Sequence, residues 1–214
     1  MILNKPVLII LIFLNICRWG FSQVSRNSTG YFGTTQGVTF SQLYIKDKRI
    51  QAINPGYTGG ILFIYSTEPH VGIRVEFNYV QKGWKLYPDS SENYSRKLNY
   101  FEVPFMCHIS LGNKNSKFLI DLGPYASYLS SEAEKTNINN DSIAYIGYKA
   151  DRKFDFGYCL GIGYDYHTKA GNFGIGARYS NSITSIFTPS GNLPYFASRN
   201  QVLSFCFKYT VRIF

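Results

Sequence analysis

His108 and Ser110 stand two apart in a run whose neighbours alternate in polarity, so both project to one face, where an imidazole could take a proton from a hydroxyl. They are the best-placed pair in the chain for nucleophilic chemistry, the other histidines being His70 and His167. A second candidate, Asp151 with Asp155, offers two carboxylates four residues apart that could activate water in an aspartate-based surface protease. Beyond residue 22 the cysteines are Cys107, Cys159 and Cys206, with no CxxC and no Cys/His spacing of a zinc site, so they read as buried structural thiols. No Gly-rich phosphate loop, metal-ligand cluster or nucleic-acid motif is present, so no cofactor is implied.

The elements that must carry these residues are strands. Phe154, Phe156, Tyr158, Leu160, Ile162, Tyr164 and Tyr166 alternate with Asp155, Gly157, Cys159, Gly161, Gly163, Asp165 and His167. A period of two sustained this long means one apolar and one polar face. It recurs at Phe173–Tyr179 and at Leu203–Ile213, where Lys208, Thr210 and Arg212 take the polar phase. Further strands are predicted at about 34–45, 57–66, 70–82, 98–111 and 116–129, making eight, with the register of the first two unsettled by Gly37, Gly59 and Gly60. Strands of soluble sheets are mostly about five to six residues, whereas a tilted strand crossing a bilayer needs roughly 9–11.

At the N-terminus, Lys5 precedes the apolar run Val7–Leu14, and Ser22 stands before Gln23 as a cleavage point. That layout predicts a signal peptide over 1–22 and one domain over 23–214. Lipoprotein processing at Cys17 is disfavoured, because Asn15 and Ile16 stand where small residues are wanted. Downstream no stretch is long and apolar enough for a membrane helix, so a membrane location requires a closed barrel. The expectation is an all-β, eight-stranded antiparallel transmembrane β-barrel, an up-and-down meander in the outer membrane of a Gram-negative bacterium.

Connection lengths agree. Long segments at 46–56, 83–97, 130–152 and 181–200 alternate with short ones at 67–69, 112–115 and 169–171, the pattern of such barrels with the short side periplasmic. A soluble lipocalin-like barrel would need the many aromatics packed into a small cavity and the charges outside; aromatics at 17% are too many for that. Tyr44, Tyr57, Trp84, Tyr100, Tyr128, Phe154, Tyr166 and Tyr209 fall near strand ends, as an interfacial belt requires. Facing inward are Arg74, Glu76, Glu102, Asp121, Asp155, Asp165, Arg178, Lys208 and Arg212, near enough to balance to form an ionic lumen network rather than a water-filled channel. His108 shares that inward phase, which makes it one more member of the network and places Ser110 beside a short turn.

Without residues 1–22 the chain keeps 20 basic and 13 acidic residues. The bases are dispersed, which argues against a nucleic-acid surface; Lys46, Lys48, Arg49, Lys82, Lys85, Arg96 and Lys97 sit around the first two long connections, where lipopolysaccharide phosphates would be met, though a solvated loop with no ligand is the favoured reading of such charges.

The stretches Glu76–Gly83, Leu98–Pro104, Asp155-Phe156-Gly157 through Gly161-Ile162-Gly163, and Gly176-Ala177-Arg178-Tyr179, in this order, resemble the PorT-like outer-membrane β-barrel proteins of Bacteroidetes. The resemblance implies a non-enzymatic barrel acting as a structural or interaction protein, with outer-membrane lipids as its surroundings and envelope or secretion proteins as partners of its long loops. An accessory role in type IX secretion or envelope transport is the first alternative. A small lipid- or peptide-acting surface enzyme is the second, since His108-Ile109-Ser110 is similar to the His-x-Ser of outer-membrane lipid A deacylases. The terminal Phe214 follows an outward phase running through Val211 and Ile213, so a bulge or an inward turn is required there.

Overall fold

The structure, a computed structural model, describes residues 28–44, 51–89, 92–136, 149–187 and 198–214. Its strands are β1 (Thr29–Tyr44), β2 (Asn54–Ser66), β3 (Val71–Asp89), β4 (Glu92–Gly112), β5 (Ser116–Thr136), β6 (Phe154–Thr168), β7 (Gly171–Ser182) and β8 (Arg199–Arg212). A two-residue pairing of Gln51 and Ala52 with Leu86 and Lys85 prolongs the β2 edge. Each strand pairs antiparallel with the next, and β1 pairs with β8 from Tyr31↔Arg212 to Tyr44↔Arg199, so the sheet closes as an eight-stranded meander.

Alternation decides which face looks where. Along β6, Asp155, Gly157, Cys159, Gly161 and Asp165 are buried, while Phe154, Phe156, Tyr158, Leu160, Ile162, Tyr164 and Tyr166 are exposed. Ile162 is 54% exposed and Ile175 64%, values that in water would leave a belt of bare hydrocarbon around the molecule. The belt fits lipid, with the polar phase inside. No helix among the described residues is long and apolar enough to cross a membrane.

The β6–β7 and β4–β5 turns are tight because glycine permits them. Gly112 and Gly171 adopt φ of 139° and 134°, and a Cβ at Gly112 would lie 2.3 Å from the Ser116 carbonyl oxygen.

Several expected loops turn out to be strand. The segment 83–97 is paired almost throughout: β3 continues to Asp89 and β4 starts at Glu92. β5 runs to Thr136, β2 starts at Asn54 and β1 at Thr29. The physical reason is an inversion of polarity above the lipid belt. There Trp84, Tyr94 and Leu98 point inward and are buried, while Lys85 and Lys97 point outward, so a search for outward apolar residues loses the strand. Residues 45–50, 137–148 and 188–197 of the long connections lie outside the described residues, as do residues 1–22 of the expected signal peptide.

The chain end resolves through a bulge. Gly30 N–H donates to Phe214 O at 3.0 Å and Ile213 N–H donates to Gly30 O at 2.8 Å, so two residues oppose one. Phe214 thereby stays exposed and lies over Gly30, 6.2 Å from the outward Tyr65 ring.

Candidate functional site in the lumen and at its two mouths

Eight of the nine charged residues expected inside are there, stacked in tiers. Nearest the short turns, Lys208 Nζ meets Asp165 Oδ2 at 2.8 Å. Above it Arg74 joins Asp121 at 2.8 Å and Glu76 at 2.6 Å, and Arg178 grips the same Glu76 carboxylate with two bonds of 2.7 Å. The fork matches the planar carboxylate, the geometry that makes Arg pairs strong and directional. The inward glycines Gly161, Gly163, Gly174 and Gly176 line the void beside these long side chains and leave them room.

The ninth, Arg212, is not in the network. It sits at the last rung of the ladder, exposed at the rim, and its Nε donates to Phe214 O at 3.1 Å. Lys82 takes the place expected for it. Its Nζ lies 2.7 Å from Glu102 and 3.2 Å from Asp155, with the Tyr100 and Tyr125 rings at 4.8 and 4.5 Å. Lys82 continues the inward phase of Arg74, Glu76 and Asn78, a signal masked by the reading of 83 onward as loop.

The lumen is therefore filled. The voids among the charged side chains measure about 30 Å³ near Arg74 and Asp121 and about 10 Å³ near Lys82 and Glu102. A single water needs about 10–15 Å³ by the same measure, so these voids hold one or two waters each and neither is of channel size.

At the long-connection mouth the filling changes to apolar. Leu43, Trp84, Tyr94, Leu98, Tyr100, Leu129, Ile186 and Phe187 form one buried cluster. Phe187 is brought in from the segment after β7, pinned where its N–H donates to Ser198 Oγ at 3.1 Å and Ile186 N–H donates to Ser198 O at 2.9 Å. Its ring meets Trp84 edge-on at 6.2 Å, and the Arg96 guanidinium lies over both, 5.7 and 5.4 Å away, while bonding Glu132 at 2.8 Å. Burial pushes the Tyr94 phenol well above its usual range, so this cluster carries no phenolate. Trp84 and Tyr100 thus belong to the interior and not to the outer belt, whereas Tyr44, Tyr57, Tyr128, Phe154 and Tyr166 are exposed outside as expected and Tyr209 is half-buried, donating to Ala170 O at 2.6 Å.

At the short-turn mouth the barrel opens into a polar cavity of about 490 Å³ lined by His108, Ser110, Lys117, Asp165, His167 and the turn Thr67–Pro69. His108 Nδ1 lies 2.6 Å from Asp121 Oδ1, so the imidazole is tied to a carboxylate that Arg74 already holds. Among the described residues no hydrogen bond joins Ser110 Oγ to His108. The Asp151 and Asp155 pair is not assembled either: Asp155 is buried on Lys82, Ser182 and Thr184, while Asp151 is exposed. No group of three or more His, Cys, Asp or Glu among the described residues could hold a metal.

Among the described residues the cysteines Cys107, Cys159 and Cys206 are unbridged. Cys159 is buried as expected and Cys206 half-buried, but Cys107 is exposed on the apolar outer face, because its phase is that of Val103 and Phe105.

Residues 21–188 match the family model described as "Outer membrane protein beta-barrel domain", which covers β1 to β7 and leaves β8 to close the barrel beyond it. No curated protein matches the sequence. Among solved structures, the chain is similar to Ail, the attachment invasion locus protein of Yersinia pestis, at 10% identity over 85% of this chain and 99% of that one, TM-score 0.44. It is similar to OprG of Pseudomonas aeruginosa at 12% identity over 86% and 92%, TM-score 0.47. Neisserial surface protein A gives 12% identity over 86% and 99%, TM-score 0.43.

Proposed function

The chain belongs to the outer membrane protein β-barrel domain family and is a small outer-membrane β-barrel, and from that premise we propose that it is a non-enzymatic structural or interaction protein that works through its extracellular end. The observation that carries this is the double closure of the lumen, by ion pairs with voids of about 30 Å³ or less and by an apolar plug above them. A solute meets two closures in series, and of the residues able to do chemistry His108 is tied to Asp121 and Asp155 to Lys82, while Ser110 lines the polar cavity at the short-turn mouth without a bond to His108. What remains free is the outer end, where β3, β4 and β5 extend to Asp89, Glu92 and Thr136 beyond the lipid belt. Loops and strand extensions carried on a rigid barrel are suited to recognition.

The test is conductance. The mature chain, refolded and inserted into planar bilayers, is expected to show no steady ion current at neutral pH; a stable open level would overturn the sealed-lumen reading.

Within the family, the resemblance of Glu76–Gly83 and Leu98–Pro104 to PorT-like proteins favours an accessory role in secretion or envelope transport as the second reading. It predicts that the protein captured from its own envelope by a tag on the mature chain brings down other envelope proteins in fixed proportion. Export of the chain through a signal peptide over 1–22 predicts a mature N-terminus at Gln23, read by N-terminal sequencing.

A further inference from the structure

We infer that the outward face of the β3–β4–β5 extension, with the start of β6, is a binding surface for the phosphate groups of outer-leaflet glycolipid. The inference rests on the outer-membrane orientation adopted above. Strand register puts it together. Tyr79 pairs with Phe101 and Phe101 with Tyr128, an outward aromatic row joined by Phe154 opposite Tyr128. One outward position higher stand the uncharged Gln81, Asn99 and Ser131, and above them Lys97 opposite Gly83 and Ala133. Next come Lys85 and Lys135, both opposite Ser95. Arg152, two residues before Phe154, is exposed at the same rim.

The heights agree with a headgroup layer. Four to six residues above the aromatic row, at about 3.4 Å per residue and a tilt of about 40°, is a climb of roughly 10–16 Å. Lysine side chains reach back several Å toward the interface, and the polar layer on each side of the hydrocarbon is about 5–8 Å thick. Of the acids in this region, Glu132 stands on the inward phase and is held by Arg96, Glu134 shares that phase, Asp89 and Glu92 oppose each other at the β3–β4 tip beyond the lysines, and Asp151 lies beside Arg152 in sequence.

The rest of the rim differs. On β1 and β8 the matching outward positions are Gln42 and Gln201, bonded to each other at 3.0 Å, and on β7 Asn181, bonded to Tyr158. Among the described residues Arg199 is the charged residue there, opposite Tyr44. Among the described residues the positive charge of this rim is thus gathered over the aromatic row, which suits a bound lipid anion better than a uniformly solvated rim.

The test uses the full mature chain in phosphatidylcholine nanodiscs, titrated with lipid A bearing both phosphates and, separately, with dephosphorylated lipid A. Each lysine near a charged lipid surface contributes enough that the K85Q/K97Q/K135Q variant is expected to bind the phosphorylated lipid about ten- to a hundredfold more weakly. Wild type is expected to discriminate against the dephosphorylated lipid by a similar factor and to lose affinity with added salt. Equal affinities in variant and wild type, or for the two lipids, would overturn the inference. A heat-modifiable band on gels reports the barrel separately, so its absence in wild type would count against the membrane-barrel reading itself. If the triple variant alone fails to fold, Lys97→Glu carries the test, with weaker binding expected and unchanged binding refuting.

Discussion

Replacing Glu76 with Gln removes one negative charge from the middle of the barrel while keeping the shape of the side chain. Glu76 is fully enclosed, and its two oxygens hold Arg74, Arg178 and Asn78 at 2.6–2.7 Å. Arg74 keeps Asp121 at 2.8 Å, so it stays paired. Arg178 has its ion pair with Glu76 and loses both bonds to a carboxylate. Because the isostere leaves no void, the expected cost is that of one desolvated, uncompensated guanidinium, about 3–5 kcal/mol. Arg178→Gln should cost less, about 1–3 kcal/mol, since Arg74 still neutralises Glu76. The double variant should cost less than the sum, giving a coupling of about 2–3 kcal/mol in a double-mutant cycle. Urea unfolding in lipid vesicles reads all three, followed by band mobility or by Trp84, the one tryptophan of the chain beyond residue 22. A cost under about 1 kcal/mol for Glu76→Gln, with additive singles, would refute the reasoning that the lumen is dry and its charges obliged to pair.

Other consequences are as direct. Gln36 is exposed in the middle of β1 on the lipid-facing phase, so Gln36→Leu should stabilise the barrel by about 1 kcal/mol in vesicles, and destabilisation would mean that the amide has a partner there. Phe105→Lys, on the belt, should cost about 2–4 kcal/mol in the same assay. A charged maleimide should leave Cys107, Cys159 and Cys206 unlabelled in the vesicle-bound fold and label all three after unfolding, since one thiol faces lipid and the others the packed interior; labelling of Cys206 in the fold would argue for a wet lumen. Trp84 should emit at short wavelength and resist acrylamide, with Leu98→Ser exposing it by loosening the outer plug.

The lipid-crossing part of the molecule was legible because a single rule governs it: apolar outward, polar inward, every second residue. β6 and β8 could be read residue by residue. Where the rule inverts, the reading stops. At Lys82 the inward phase runs on into Trp84, and at Tyr94 to Leu98 the large apolar residues point into the mouth, so strands there mimic amphiphilic loops. The first two strands resist for a related reason: Leu62 and Ile64 are buried inside while Thr34 and Gln36 face out, which blurs the alternation. The network was legible as a list of inward charges, but its pairing was not. Nothing in the sequence joins Arg178 to Glu76, 102 residues away, and the exclusion of Arg212 follows from its place on the last rung of the ladder, at the exposed rim, which pairing alone reveals.

The most direct test of the account is gel mobility of residues 23–214 refolded in detergent, loaded with and without boiling. A closed barrel predicts a compact, SDS-resistant band that shifts to the unfolded position on heating, from a protein that precipitates when detergent is withdrawn. A monomer that stays in solution without detergent and shows one band under both conditions would contradict the lipid-facing assignment of Phe105, Ile162 and Ile175, and with it the account of the lumen.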